Sequence, residues 1–301
     1  MWIQTPGPVD DRLVLLGTRK NCVYLLKGDR YALVGGAGQW VVPELERQLE
    51  QFSVDTDRIG YLVVGHAHFD HCGAVPYLQA RYPHIQVIAS PGAERIFAHP
   101  KAVKNIRTFS REATERMGCP MAFDGRSLEW TGVRLDRTVR DGEELALGGG
   151  LTLRFYEAPG HSRCALIGCV PERGWLFPTD ALHVPSDDGT TFACTASESF
   201  VTYVESLGKV AAFETSLCAW EHHGVFTDGD AAGIVPRGIE FTRRFHVDVR
   251  SRIARGEDRE AVARDLCREW MIRAQFPFVT DRILLHITRG MVTNALSEPV
   301  P

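Results

Sequence analysis

The stretch YLVVGHAHFDHCG, Tyr61 to Gly73, puts three histidines and an aspartate into six positions directly behind an apolar run. Histidine makes up 11 of 301 residues, so the crowding belongs to this stretch and not to the composition. Tyr61–Gly65 reads as a short buried strand, and the following AVPYLQARY as a helix. The cluster therefore sits at the C-terminal edge of a strand, where α/β proteins tend to bind ligands. In an extended turn, residues two apart point the same way, so His66 and His68 converge on one point. Asp70 and His71 start the helix and face a second point. A lone histidine in a loop is more often a hydrogen-bonding group than a ligand; the full HxHxDH pattern behind a strand is not explained that way. Imidazole and carboxylate suit zinc or iron, whereas magnesium or calcium would call for mostly oxygen ligands. Four potential ligands in six residues exceed what one tetrahedral ion takes from a single segment. Two divalent metal ions per chain are expected.

Outward from this stretch, the chain shows two textures. Up to about residue 230, short apolar strands alternate with turns and occasional helices. LVLLG, CVYLLKG and YALVGG are β-rich runs with a hairpin turn at KGDR, followed by a helical VVPELERQLEQF. IQVIASP reads as the next strand, residues 93–117 as helix broken at Pro100, and four strand-and-turn units follow. Strand, helix, strand in succession signals α/β layering. From about Gly233 three helical segments run in tandem, the last with a Thr280-Asp281 start. We expect residues 1–235 to form the body and 236–301 a helical extension packed on it. Hydrophobic residues make up 44% and charged residues 24%, and the net charge is −4 with no long run of one sign. Nothing there suggests a nucleic acid or membrane partner. Eight scattered cysteines without a CxxC pair, and no leader-like N-terminus, suggest reduced thiols and a cytoplasmic location.

HAHFDHCGAVPYL resembles the signature of the metallo-β-lactamase superfamily, an αββα sandwich with a dinuclear site at one edge. The resemblance continues through APGHS at 158–162, LFPTDAL at 176–182 and WEHHGV at 220–225, in the family's order. It implies that His66, His68 and His161 hold one metal, that Asp70, His71 and a last histidine hold the other, and that Asp180 touches both. Family members usually read Pro-Gly-His-Gly at the last ligand, which assigns it to His223 and puts His222 in place of a glycine. Two more departures stand out. The family's Gly-Asp at the bridging carboxylate is Thr179-Asp180 here, and an early strand that often ends in aspartate ends in Gly35-Gly36. The metals would be iron or zinc, with manganese as a third candidate, and a bridging hydroxide would be the nucleophile with Asp70 as its catalytic partner.

This chemistry serves esters, lactams, lactones, thioesters and phosphodiesters alike. The tandem helices narrow the choice, because they resemble the lid of PqsE-type thioesterases of alkylquinolone biosynthesis. That likeness implies a small acyl thioester substrate, linked to coenzyme A or a carrier protein, with an aroyl or β-keto-acyl group. Trp270, Met271, Phe276 and Phe278 would wall the pocket, with His183 lining the site. A lactonase, a glyoxalase II-like hydrolase, an iron redox enzyme and a regulatory protein acting through a partner are the alternatives. Oligomeric state is open, a homodimer included. His246 and His286 are expected to be structural, Cys72 to pack, and Asp187-Asp188 to form a turn.

Overall fold

Leu13–Thr18 and Asn21–Lys27 are buried on both faces, and this decides the layering. Leu13, Leu15, Tyr24 and Leu26 point inward against Leu153, Phe155 and Phe177. Val14, Leu16, Val23 and Leu25 point the other way, beneath helices. Successive side chains of a strand alternate between faces, so a continuous apolar run requires cover on both. The computed structural model, which describes residues 1–301, supplies it as four layers, αββα.

The first sheet has the order Arg137–Thr138, Gln86–Ala89, Ile59–Val63, Tyr31–Val34, Asn21–Lys27, Leu13–Thr18, Gly7–Pro8. Its outer face carries α1 (Val42–Gln51), the short α2 (Phe69–Cys72), α3 (Val75–Arg81), α4 (Pro91–Phe97) and α5 (Pro100–Arg116). Pro100 separates α4 from α5, as the sequence suggested. The second sheet runs Trp2–Ile3, Gly224–Thr227, Leu217–Trp220, Trp175–Phe177, Leu166–Val170, Leu151–Glu157, Glu144–Gly148. On its outer face lie α6 (Phe200–Gly208), α7 (Ile234–Ala254), α8 (Arg259–Ala274) and α9 (Asp281–Ser297). Asp258 and Thr280 cap α8 and α9 by accepting from Ala261 N–H and Ile283 N–H. The expected fold class, an αββα sandwich with a C-terminal helical region, is the one observed.

Ile59–Val63 pairs in parallel with both its neighbours, so the loop after it emerges at the sheet's C-terminal edge. Trp175–Phe177 and Leu217–Trp220 are also parallel and open their following loops at the same place. All eight cysteines are free, and no helix is long and apolar enough to cross a membrane.

Candidate metal centre

Strand end and loop must approach closely here, and a glycine permits it: a Cβ on Gly65 would lie 2.5 Å from Glu221 Oε1. His68, with extended backbone, immediately precedes α2, and the His66 and His68 rings meet on one side. His66 Nε2 lies 3.0 Å from His68 Nδ1, and His161 Nε2 lies 3.1 Å from the same atom. Across the site, His71 Nε2 is 3.0 Å from His222 Nε2, and Asp70 Oδ2 is 3.5 and 3.7 Å from them. Asp180 lies between the two groups. Its Oδ2 is 3.4 Å from His161 Nε2 and 3.5 Å from His71 Nε2, while Oδ1 is 3.6 Å from His222 Nε2.

The outer nitrogens reveal what the inner ones carry. His161 Nδ1 faces the Thr195 carbonyl at 2.8 Å, His222 Nδ1 the Lys20 carbonyl at 2.7 Å, and His71 Nδ1 the Glu221 carboxylate at 2.9 Å. Carbonyls and carboxylates only accept, so each Nδ1 carries a proton, and in the neutral ring the inner Nε2 is the lone pair. His66 Nδ1 meets Thr179 Oγ1 at 2.9 Å. Lone pairs and carboxylates thus converge, and Asp180 Oδ1 is buried without any hydrogen-bond partner. Such a donor set fits cations and little else. His66, His68 and His161 could hold one ion and Asp70, His71 and His222 another, with Asp180 between them.

Electrostatics divide the cluster. Burial lowers the His71 pKa, but Asp70, Glu221 and Asp180 more than offset it and hold that ring well above the ordinary histidine range, so it gives up a proton when a cation binds. Burial, reinforced by His71, His68 and His161, pushes the His66 pKa well down, which keeps the ring neutral and ready to bind. Burial alone would raise the Asp180 carboxyl, but His71, His222 and His161 hold it well below the usual carboxylate range. Thr179 sits at φ +47°, a left-handed conformation costing a threonine about 1–3 kcal/mol, and it places Oγ1 against His66. The residue standing where the resemblance leads one to expect glycine therefore contributes a contact that glycine could not.

Four expectations about the histidines and Phe278 need correction. The cluster contains His222 and not His223. At φ +63°, His223 swings its ring out of the cluster, with Nδ1 3.4 Å from Asp187 Oδ1 and a stacking contact to Phe276. Second, His183 does not line the site. It is fully buried, stacked on Tyr203, accepts from Thr195 N–H at 2.9 Å and meets Thr242 Oγ1 at 2.7 Å. Third, Phe278 is core, stacked between Trp40 and Phe276. Fourth, His286 is exposed and borders the cavity described next. Cys72 and His246 are buried, and Asp187-Asp188 form a turn in which Asp187 also pairs with Lys20. Sequence reasoning missed Glu221, whose only signal was its place beside the last histidines.

A cavity of about 840 Å³ opens from the cluster. His68, Asp70, His161 and Asp180 line its floor. Phe109, Trp270, Phe276 and Ile283 make apolar walls, and Asn105, Arg282, His286 and Arg289 also border it. Met271, expected in the wall, is exposed.

A profile of the metallo-beta-lactamase superfamily matches residues 17–223. Nitric oxide reductase of Moorella thermoacetica is 29% identical over 167 residues, covering 55% of this chain but 34% of that protein, so the chain spans about a third of its length. A metallo-beta-lactamase fold-containing protein of Sulfurisphaera tokodaii is 23% identical over 207 residues, 67% of this chain and 72% of that one. In structure, a metallo-beta-lactamase family protein of Thermus thermophilus superposes with a TM-score of 0.60 at 20% identity, covering 92% and 93% of the two chains, which shows the shared fold. The chain belongs to the metallo-beta-lactamase superfamily.

Proposed function

We propose that this superfamily member hydrolyses acyl thioesters, of coenzyme A or a carrier protein, at a dinuclear centre. The observation that carries the reading is the pocket: aromatic and aliphatic walls from Phe109, Trp270, Phe276 and Ile283 lead down to Asp70 and Asp180. An aroyl or β-keto-acyl group suits such walls. Bound divalent cations supply Lewis acidity toward a carbonyl and lower the pKa of water. The chain's own residues do the rest. His66, His68, His161, His71 and His222 present lone pairs, and Asp180 joins the two groups. Asp70 borders the cavity with its carboxylate toward both His71 and His222, placed to orient a nucleophile and accept its proton.

The leaving group is judged from the cluster's own carboxylates; Glu198, raised by burial, borders the cavity outside them. Asp180 and Asp70 are held below their ordinary pKa despite burial, by His71 and His222 among others, so neither is a protonated acid. A thiol with an unperturbed pKa of about 8.5 departs as thiolate without an acid, whereas an amine needs a proton. Thioesters are the substrates this arrangement handles with least help.

A redox reading draws on one observation, the similarity to the Moorella protein named nitric oxide reductase. Metal-replete protein assayed on aryl and β-keto thioesters, lactones and phosphodiesters, and on nitric oxide with a reductant, separates the readings. Turnover confined to thioesters supports the proposal. Brisk lactone or phosphodiester hydrolysis with every thioester untouched overturns it in favour of another hydrolase, and nitric oxide consumption alone overturns it in favour of redox chemistry.

A further inference from the structure

We infer that Glu221 is a positioning residue that makes the second metal position distinct from the first, acting through His71. Among the outer-nitrogen partners in the cluster, three are neutral: Thr179 Oγ1 for His66, the Thr195 carbonyl for His161 and the Lys20 carbonyl for His222. The fourth is the Glu221 carboxylate, 2.9 Å from His71 Nδ1. An anionic acceptor fixes the tautomer and orientation of the ring, as a carbonyl does, and also raises the basicity of the opposite nitrogen. His71 Nε2 is that nitrogen, and it faces Asp70, Asp180 and His222.

Three segments are arranged to bury this one carboxylate. Glu221 is 2% exposed, and its backbone carbonyl accepts from Cys22 N–H at 2.7 Å, which ties the loop to the start of the Asn21–Lys27 strand. Two glycines leave the slot for its head. A Cβ on Gly35 would come 3.2 Å from Oε2, and one on Gly65 2.5 Å from Oε1. The Gly35-Gly36 strand end, which carries no side chain of its own, is therefore where the glutamate reaches in. Burying a carboxylate is costly unless it is paired, and its pairing here is with a histidine aimed at the cluster. The inference rests on the cluster being a metal centre and is independent of the substrate.

The test is metal binding, not turnover. Chelator-stripped full-length protein is titrated with zinc by calorimetry and with cobalt by its visible absorption, for wild type, Glu221→Gln, Glu221→Ala, His71→Ala and the Glu221→Ala/His71→Ala pair. Wild type should show two binding steps; a wild type that binds nothing would instead refute the metal centre itself. Glu221→Ala should weaken one step by about 10–100-fold and leave the other unchanged. Glu221→Gln, which keeps shape and loses charge, should weaken the same step by less. The double variant should bind as His71→Ala alone does, because Glu221 acts through that ring. Equal weakening of both steps, no weakening in Glu221→Ala, or full additivity in the pair would each overturn the inference. A wild-type titration from Glu221→Gln would overturn the role of its charge.

Discussion

The sandwich and the C-terminal helices meet at the same cluster but contribute to it in different ways. Every inner donor lies between His66 and His222, on the loops and short helical turns that leave the sandwich at one edge. Residues from Ile234 onward supply none, yet they reach two of the histidines from outside. Phe276, between α8 and α9, packs on His222 with ring centroids 4.3 Å apart. Thr242 of α7 contacts His183, which accepts from Thr195 N–H, and the Thr195 carbonyl takes the proton of His161 Nδ1. The sandwich sets which lone pairs converge; the helices set what can reach them and brace the outside. In this account reactivity and selectivity are separable along the chain.

Substitutions can break that separation, starting with the largest effect. Asp70→Ala should cut turnover by about 10²–10⁴-fold with the fold retained by circular dichroism; near-normal rates would remove Asp70 from the chemistry. Removing 234–301 uncovers the buried faces of Phe200, Tyr203 and Trp220 and should expose apolar surface to a hydrophobic dye. A truncated chain that stays soluble with unchanged substrate preference would make the helices bystanders. Trp270 borders both the active cavity and a second hollow of about 360 Å³ beneath α7 and α8. Trp270→Ala should therefore shift preference toward longer acyl groups while rates on the smallest thioester stay within a few-fold. An unchanged chain-length profile would show that the indole is no partition. The smallest effect belongs to Thr242→Val, which strands the buried His183 Nε2–H and should cost about 1–3 kcal/mol of stability with little change in turnover. A melting temperature equal to that of wild type would count against this brace.

Much of the centre is legible in the sequence because its spacing is local. HxHxDH lies in one turn and is read from its spacing, whereas His161 and Asp180 follow apolar strands but are assigned to the site only through the family resemblance of APGHS and LFPTDAL. The last histidine escapes such a reading for a reason of backbone geometry. In Glu221-His222-His223-Gly224 the left-handed residue ahead of the glycine is His223, and no pattern of residue types shows which of two adjacent histidines will take φ +63°. Glu221 is hidden because its role depends on Gly35 and Gly65, which lie far apart in sequence and meet only in the folded sheet. His183 looks like a lining residue from its place three positions after Asp180, and packing on Tyr203 decides otherwise. The N-terminal Trp2–Ile3, which closes the second sheet against Gly224–Thr227, is too short to show a period. The Ser199-capped α6, by contrast, carries apolar Phe200, Tyr203, Val204 and Leu207 at helical spacing, a legible helix that the strand-and-turn reading of this region omits.

The central claim is that two cations sit between five histidines and two aspartates, with His222 as the last donor. Elemental analysis of wild type, His222→Ala and His223→Ala, purified without chelators, tests it most directly. The account predicts about two equivalents of iron, zinc or manganese in wild type and in His223→Ala, falling to about one in His222→Ala. A reproducible single equivalent in wild type, or a loss in His223→Ala that His222→Ala does not show, would contradict it.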